Sequence, residues 1–346
     1  MDLRAFGGKL LEASPQFRQS LDSGSAAPSS TSEVWNFGYR LYFQRTKEEN
    51  FFDTLFNKNE AKPFAITGGW NDDEEIILTS NLAKKANNGK HLLTFYQRTG
   101  SCVGNGGGQG VWHLSAVEVI RLGDPEQFLL PFYLMTYGRS RFYGGIRGRG
   151  EGSFGSAMAK AMLTDGMFAY NEPGLPQPTQ SEEEGTSWGA AAEMQWSDGE
   201  AIDQKWIDKG RKHLVQSVAR IADGDAAWEA ASNYYPMTCA SDWGGQMSPP
   251  IRGSGDKRVL LNSRVTTWQH QMCCIGRWRH PEFGKLFYIL NSWSPRAHGI
   301  CPSGAQPGGF WITFKEFDYI CRSGEVYAIS QYQGYPAQTF SWKSAV

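Results

Sequence analysis

A cysteine, a histidine and an asparagine, far apart in this chain, each sit in a local string suited to chemistry. Cys102 lies in Gly100-Ser101-Cys102-Val103-Gly104-Asn105, with Gln97 five positions upstream. His270 lies in Trp268-Gln269-His270-Gln271-Met272, and Asn291 in Tyr288-Ile289-Leu290-Asn291-Ser292-Trp293. A thiol becomes a nucleophile when a nearby base favours the thiolate, and the base works best when a third group holds its ring. In that arrangement Cys102 attacks a carbonyl carbon. His270 stabilises the thiolate and then protonates the leaving amine, while Asn291 orients the ring without carrying charge. This reading expects Cys102 to be partly exposed and the most reactive thiol. Plainer readings stand beside it. A lone Cys is a small buried hydrophobe, which is the role given to the other five cysteines. His91, His113, His213, His280 and His298 are read as structural, Asn291 as a possible turn residue and Trp293 as a possible core aromatic.

The flanking text indicates the elements that must carry these residues. Val265-Thr266-Thr267-Trp268 and Met272-Cys273-Cys274-Ile275 read as strand on either side of His270. Leu286-Phe287-Tyr288-Ile289-Leu290 is an apolar, aromatic run leading into Asn291. After the cysteine comes Gly104-Asn105-Gly106-Gly107-Gly108-Gln109-Gly110, poor helix material because each Gly costs up to about 1 kcal/mol against Ala. The helical pattern of Val111 to Ile120 nevertheless favours one helix with a glycine-rich first half, lying very close to another backbone. A phosphate-binding loop is disfavoured, since no Gly-Lys-Ser/Thr follows.

Cys, then His, then Asn-Ser-Trp, in that order, resembles the papain-like cysteine peptidases. His270 lies 168 residues after Cys102 (270 − 102) and Asn291 lies 21 after His270 (291 − 270). Family separations of about 130–150 residues imply an insertion of a few tens of residues. The resemblance implies an α+β fold, with a helical half, an antiparallel β-rich half and the active-site cleft between them. In it Cys102 opens a helix, and His270 and Asn291 sit on adjacent strands. It offers the Gln97 side-chain amide and the Cys102 backbone N–H as oxyanion donors, and a helix N-terminus that lowers the thiol pKa. It gives Trp293 the task of shielding the His–Asn hydrogen bond and placing it beside the substrate. Gly148-Arg149-Gly150-Glu151-Gly152-Ser153 resembles the family's substrate-binding glycine strand, with Gly150 and Gly152 as the contacts; a plain turn before a helix N-cap is the other reading. Tyr235-Pro236-Met237-Thr238, after a helix read over Lys209 to Asn233, and Gly308-Gly309-Phe310-Trp311-Ile312 resemble further strands of the fold. Two features depart from the pattern: Gln97 is one residue nearer the nucleophile than usual, and Val103 replaces the customary Trp.

The implied activity is hydrolysis of a peptide or isopeptide bond in a peptide or protein substrate, without metal or cofactor. The alternative is a structural or assembly protein that keeps the fold with little or no peptidase activity. The glycine string and the lack of a visible signal peptide resemble papain-like proteins of tailed phages and some bacteria, which raises a virion role. Peptidoglycan-cleaving relatives fit less well, because their Cys-to-His distance is shorter and they lack Asn-Ser-Trp. A net charge of −1 gives no argument for nucleic acid or an anionic membrane surface. No apolar run approaches the roughly 18 residues of a spanning helix. The N-terminus lacks an apolar h-region, so a cytoplasmic or virion-associated location is expected. Six cysteines with no secretory signal read as reduced thiols. The clustered Arg139, Arg141, Arg147 and Arg149 read as solvated loop residues.

Four segments are expected. Residues 1–32 form an arm, with a helix over Met1 to Leu21 and a Ser-rich linker, that docks on a neighbouring subunit. Residues 33–90 form an N-terminal extension whose aromatic stretch, Trp35 to Phe56, could be a pro-segment. Residues 91–335 form the papain-like domain and 336–346 a tail. Leu175 to Gly189, with Glu182-Glu183-Glu184, reads as an exposed loop between the halves.

Overall fold

The structure is a computed structural model that describes residues 34–36, 62–63, 74–124 and 127–332. The expected arm (1–32), most of the Trp35 to Phe56 stretch and the tail (336–346) lie outside the described residues. Three short strands come first: β1 (Val34–Asn36), β2 (Lys62–Pro63) and β3 (Ile76–Leu78). Helices α1 (Thr79–Ala86), α2 (Cys102–Val117), α3 (Tyr133–Tyr143) and α4 (Gly155–Thr164) follow. A hairpin, β4 (Thr179–Ser181) and β5 (Gly185–Ser187), leads to α5 (Gly189–Trp196) and α6 (Gln204–Gly210). Then come β6 (Val215–Arg220), α7 (Gly224–Ser232), β7 (Met237–Gly244), β8 (Ile251–Arg252), β9 (Val259–Leu260) and β10 (Thr266–His280). The described residues end through β11 (Gly284–Leu290), β12 (Gly309–Thr313), α8 (Phe314–Ser323) and β13 (Glu325–Tyr332).

The main sheet runs β12-β11-β10-β7-β13-β6-β2, with β1 and β3 also pairing with β10. β10 pairs antiparallel with both β7 and β11, so it lies at the centre and is buried along almost its whole length. One core fills the space between the sheet, α7 and α8, around Trp228, Phe287, Phe310 and Phe317. The other lies under α2, α3 and α4, around Phe95, Tyr133, Met158 and Trp188. Residues 76–86 belong to the same body: β3 pairs with β10 through Gly276, Arg277 and Trp278, and the Thr79 hydroxyl donates to the Ile275 carbonyl at 3.0 Å. Helices packed beside a mainly antiparallel sheet, in which the short β1 and β2 pair parallel, make this the α+β arrangement expected from the sequence.

Helix α2 takes the form that its glycines predicted, and all of its sixteen residues are buried. A Cβ on Gly104 would lie 2.7 Å from Tyr137 Cβ, and one on Gly108 would lie 2.9 Å from Tyr133 Cβ, both on α3. A Cβ on Gly106 would come within 3.0 Å of Gln271 Cγ on β10, and one on Gly110 within 3.1 Å of Ile329 Cδ1 on β13. The helix therefore has close neighbours all round, and tertiary packing outweighs its poor propensity.

Three expectations about the elements are corrected. The stretch from Lys209 to Asn233 is not one helix: β6 interrupts it, because Val215 to Arg220 finds a pairing edge on β13, and Asp223 then caps α7 by accepting from Ala226 N at 2.9 Å. Arg139 and Arg141 are not solvated; both lie on α3 and are buried. Arg139 Nε reaches Asp165 at 2.6 Å, and Arg141 donates to the carbonyls of Ser197, Gly148, Glu151 and Gly152 at 2.7–3.1 Å. Arg147 and Arg149 are exposed, as expected. The segment from Leu175 to Gly189 keeps an exposed acidic tip, but its second strand, β5, is buried.

Gly104→Ala tests the close packing. At an open helix site this change gains about 1 kcal/mol, whereas overpacking against a Cβ that cannot move costs about 1–3 kcal/mol. A lowered urea midpoint is expected, with helix content retained by circular dichroism; a raised midpoint would show that α3 yields.

Candidate active site

Cys102 is the first residue of α2, where unpaired backbone N–H groups and the helix dipole favour negative charge. Its sulfur accepts from the Gln271 backbone N–H at 3.3 Å, so the nucleophile position lies against β10 beside His270. Next to His270, β10 carries an extra residue relative to β7: the register passes from Thr267↔Trp243 to His270↔Ser241. Such a bulge re-aims the side chains beside it.

His270 Nε2 lies 2.7 Å from Asn291 Oδ1. The same oxygen accepts the Ser292 backbone N–H at 2.7 Å, and a backbone N–H can only donate, so the atom there is oxygen. His270 Nε2 must then carry the proton, and Nδ1 is left as the basic nitrogen. Trp293 stacks on the His270 ring with centroids 4.7 Å apart, and Trp268 packs edge-on against Trp293 at 4.9 Å. Trp293 is itself buried, on the face of the histidine.

Gln97 closes the other side. Its backbone N–H donates to Ser292 O at 3.0 Å, its Oε1 accepts the Ser292 hydroxyl at 2.6 Å, and its Nε2 donates to Thr99 O at 2.9 Å. The four residues read from sequence as catalytic, Cys102, His270, Asn291 and Gln97, are thus gathered where α2 meets β10 and the end of β11. The two glycines lie on the loop before α4. Gly152 N–H donates to Gly100 O at 2.9 Å and Gly150 N–H to the Ser197 hydroxyl at 2.9 Å, so both donors are engaged within the chain.

Cys102 is fully buried rather than partly exposed, and so are Gln97, His270 and Asn291. Burial pushes the Cys102 thiol well above its usual range, against the backbone N–H groups of Gln271, Val103 and Cys102 that favour the thiolate. Burial likewise pulls His270 down to about 3, against the hydrogen bond to Asn291. Burial therefore favours the neutral thiol and the neutral imidazole.

Glu193 had no motif to mark it. It sits on α5, fully buried, and accepts from the backbone N–H of Arg98 (3.1 Å) and Thr99 (2.8 Å). The hydroxyls of Thr99 (2.7 Å), Ser101 (2.8 Å) and Tyr133 (3.3 Å) also donate to it. One carboxyl group therefore fixes the whole loop between Gln97 and Cys102. Burial raises its pKa and the ring of donors opposes the rise. Its only trace in the sequence was a lone acid in an otherwise apolar helix, Ala190-Ala191-Ala192-Glu193-Met194. Beside this loop, Tyr96 N donates to Thr186 O on β5 at 2.8 Å, and the acidic tip is tied down by Arg98–Glu184 (3.3 Å) and Arg296–Glu183 (2.7 Å). Among the described residues no group of three His, Cys, Asp or Glu side chains is placed to hold a metal ion, and no helix is long and apolar enough to cross a membrane.

The fold matches that of solved structures. Over 81% of this chain and 78% of the other, it resembles digestive procathepsin L 3 of Tenebrio molitor larval midgut, with TM-score 0.51 and 11% identity. It also aligns with xylellain, a cysteine protease from Xylella fastidiosa, with TM-score 0.49 and 14% identity, over 79% of this chain and 95% of that one. No protein-family model matches the sequence, and no curated protein matches it. The likeness to the procathepsin establishes a papain-like fold.

Two outcomes are expected. Glu193→Gln places an amide N–H among donors; it should leave the fold intact by circular dichroism yet lower any Cys102-dependent turnover about ten- to a hundredfold, the scale of a group displaced by about 1 Å. Separately, burial holds His113, His270 and His298 at about 3, 3 and 4, against 6.5 when unfolded. The unfolded chain then binds more protons between pH 6.5 and about 4, so the stability they contribute is complete above 6.5 and lost as pH falls. Urea midpoints taken from pH 7 to 5 should decline, and His113→Asn should reduce the slope by about 1 kcal/mol per pH unit averaged over that range.

Proposed function

We propose that the chain is a papain-like cysteine peptidase or amidase that cleaves a peptide or isopeptide bond. The carrying observation is the meeting of the α2 N-terminus with the His270–Asn291 pair, through the 3.3 Å Gln271 N to Cys102 Sγ contact. His270 Nδ1 takes the thiol proton as the sulfur bonds to the carbonyl carbon. The oxyanion so formed is received by the Cys102 N–H and the Gln97 side-chain amide. The carbonyl re-forms as the C–N bond breaks, and His270 gives its proton to the departing amine. Water then attacks the thioester, losing a proton to Nδ1; the C–S bond breaks and the carboxylic acid leaves, returning the thiol. Asn291 keeps the ring facing the sulfur, and Trp293 keeps water from the His–Asn bond.

Burial of both reacting groups favours their neutral forms, so the proton passes to His270 as the sulfur bonds to the substrate carbonyl. A complete Cys–His–Asn set, with its amide donor held in place, favours catalysis over a purely structural or assembly role. The substrate-facing roles of Gly150 and Gly152 require substrate to bind through groups other than their N–H donors.

A fluorogenic peptide-amide library supplies the test. Hydrolysis by the purified chain should vanish in Cys102→Ala and fall ten- to a hundredfold in Asn291→Ala, the cost of an unoriented base. Absence of any turnover by the unaltered chain, or turnover that survives Cys102→Ala, would overturn the reading.

A further inference from the structure

A histidine first read as merely structural stands directly behind the site. His298, in the loop after β11, is buried, and its Nε2 lies 2.9 Å from Asn291 Nδ2. On its other side Nδ1 lies 2.9 Å from the Met247 carbonyl oxygen. A carbonyl only accepts, so Nδ1 carries the ring proton and Nε2 of the neutral ring is a bare acceptor. Asn291 must therefore turn its NH2 toward His298. That leaves Oδ1 for His270 Nε2–H, the orientation that the Ser292 N–H also requires. The chain of bonds has a single consistent direction: His270 donates to Asn291, Asn291 to His298, and His298 to Met247.

We propose that His298 is a positioning residue, which through Asn291 fixes the tautomer of His270 and so aims its basic nitrogen at Cys102. The assignment rests on the peptidase reading for its consequence but not for its geometry. A doubly protonated His298 would confront the Asn291 amide with a second donor, and the amide would have to rotate away from His270. The surroundings keep the ring neutral: Trp268 stacks at 6.5 Å, Trp293 lies at 5.6 Å and Phe310 meets it edge-on at 4.8 Å, and burial pulls its pKa down to about 4. Ordinary packing does not require this arrangement. An apolar residue would fill the same aromatic cage without a donor–acceptor chain running from it to the base.

The test combines a spectroscopic signature with a reactivity. Long-range proton–nitrogen NMR of the labelled full chain should find His298 protonated on Nδ1 and His270 on Nε2. His298→Phe should disturb the His270 tautomer and slow carbamidomethylation of Cys102 by iodoacetamide at least tenfold. His298→Gln, which keeps an acceptor toward Asn291, should recover most of that loss and carries the comparison if the Phe variant does not fold. A proton on His298 Nε2 in the unaltered chain overturns the proposal. So does a folded His298→Phe with normal alkylation. Expected tautomers in a chain that cleaves no peptide amide would sink the peptidase reading while His298 keeps its place.

Discussion

The molecule depends on how closely helix α2 lies against strand β10. The Gln271 N–H reaches the Cys102 sulfur only because residue 106, where the two elements touch, has no side chain. Close approach on one side demands it on the others, and Gly104, Gly108 and Gly110 let α3 and β13 press in as well. A helix that is weak by propensity is thus held entirely by its surroundings, and its first turn is as fixed as the sheet. That rigidity serves the proposed chemistry, because a nucleophile at a frayed helix end would have no constant relation to its base.

Around this contact the site is a closed polar network inside an apolar shell. Buried polar groups are costly unless they are paired, and a network with one member missing costs more than its average bond suggests. Glu193, Gln97, Asn291 and His298 each satisfy donors or acceptors from more than one segment. The loop 97–102, β11 and the loop after it are therefore fixed by the same bonds that shape the chemistry. Stability and the proposed chemistry draw on one set of interactions, so most changes here alter both.

The sequence conveyed the candidate site better than its support. Cys102, His270 and Asn291 were legible as candidates because each stands in a string that also indicates its element: a cysteine opening a glycine-rich helix, apolar stretches on either side of the histidine, and an apolar, aromatic run leading into the asparagine. Gln97 was legible by its offset alone. Glu193 and His298 were not, since a single acid or histidine carries no periodic signal; Ser101 lies 92 residues from Glu193, and Met247 lies 51 from His298, though Asn291 is only 7 away. Elements failed where pairing decided the outcome. Val215 to Arg220 looks continuous with the helices on either side until β13 offers it an edge. Arg139 and Arg141 look solvated until the carbonyls and the carboxylate they serve fold over them.

The acidic hairpin tip contrasts with all of this. Its two ion pairs join side chains that are largely exposed to solvent on the glutamate side, and bonds of that kind contribute about 0–1 kcal/mol and weaken as salt screens them. Yet their basic partners follow directly on Gln97 and closely on Trp293. The interior of the site is insulated from the ionic composition of its surroundings, while the strap at its edge is coupled to it. Ionic strength therefore acts as a control on how tightly the periphery is fastened, and leaves the buried machinery as it was.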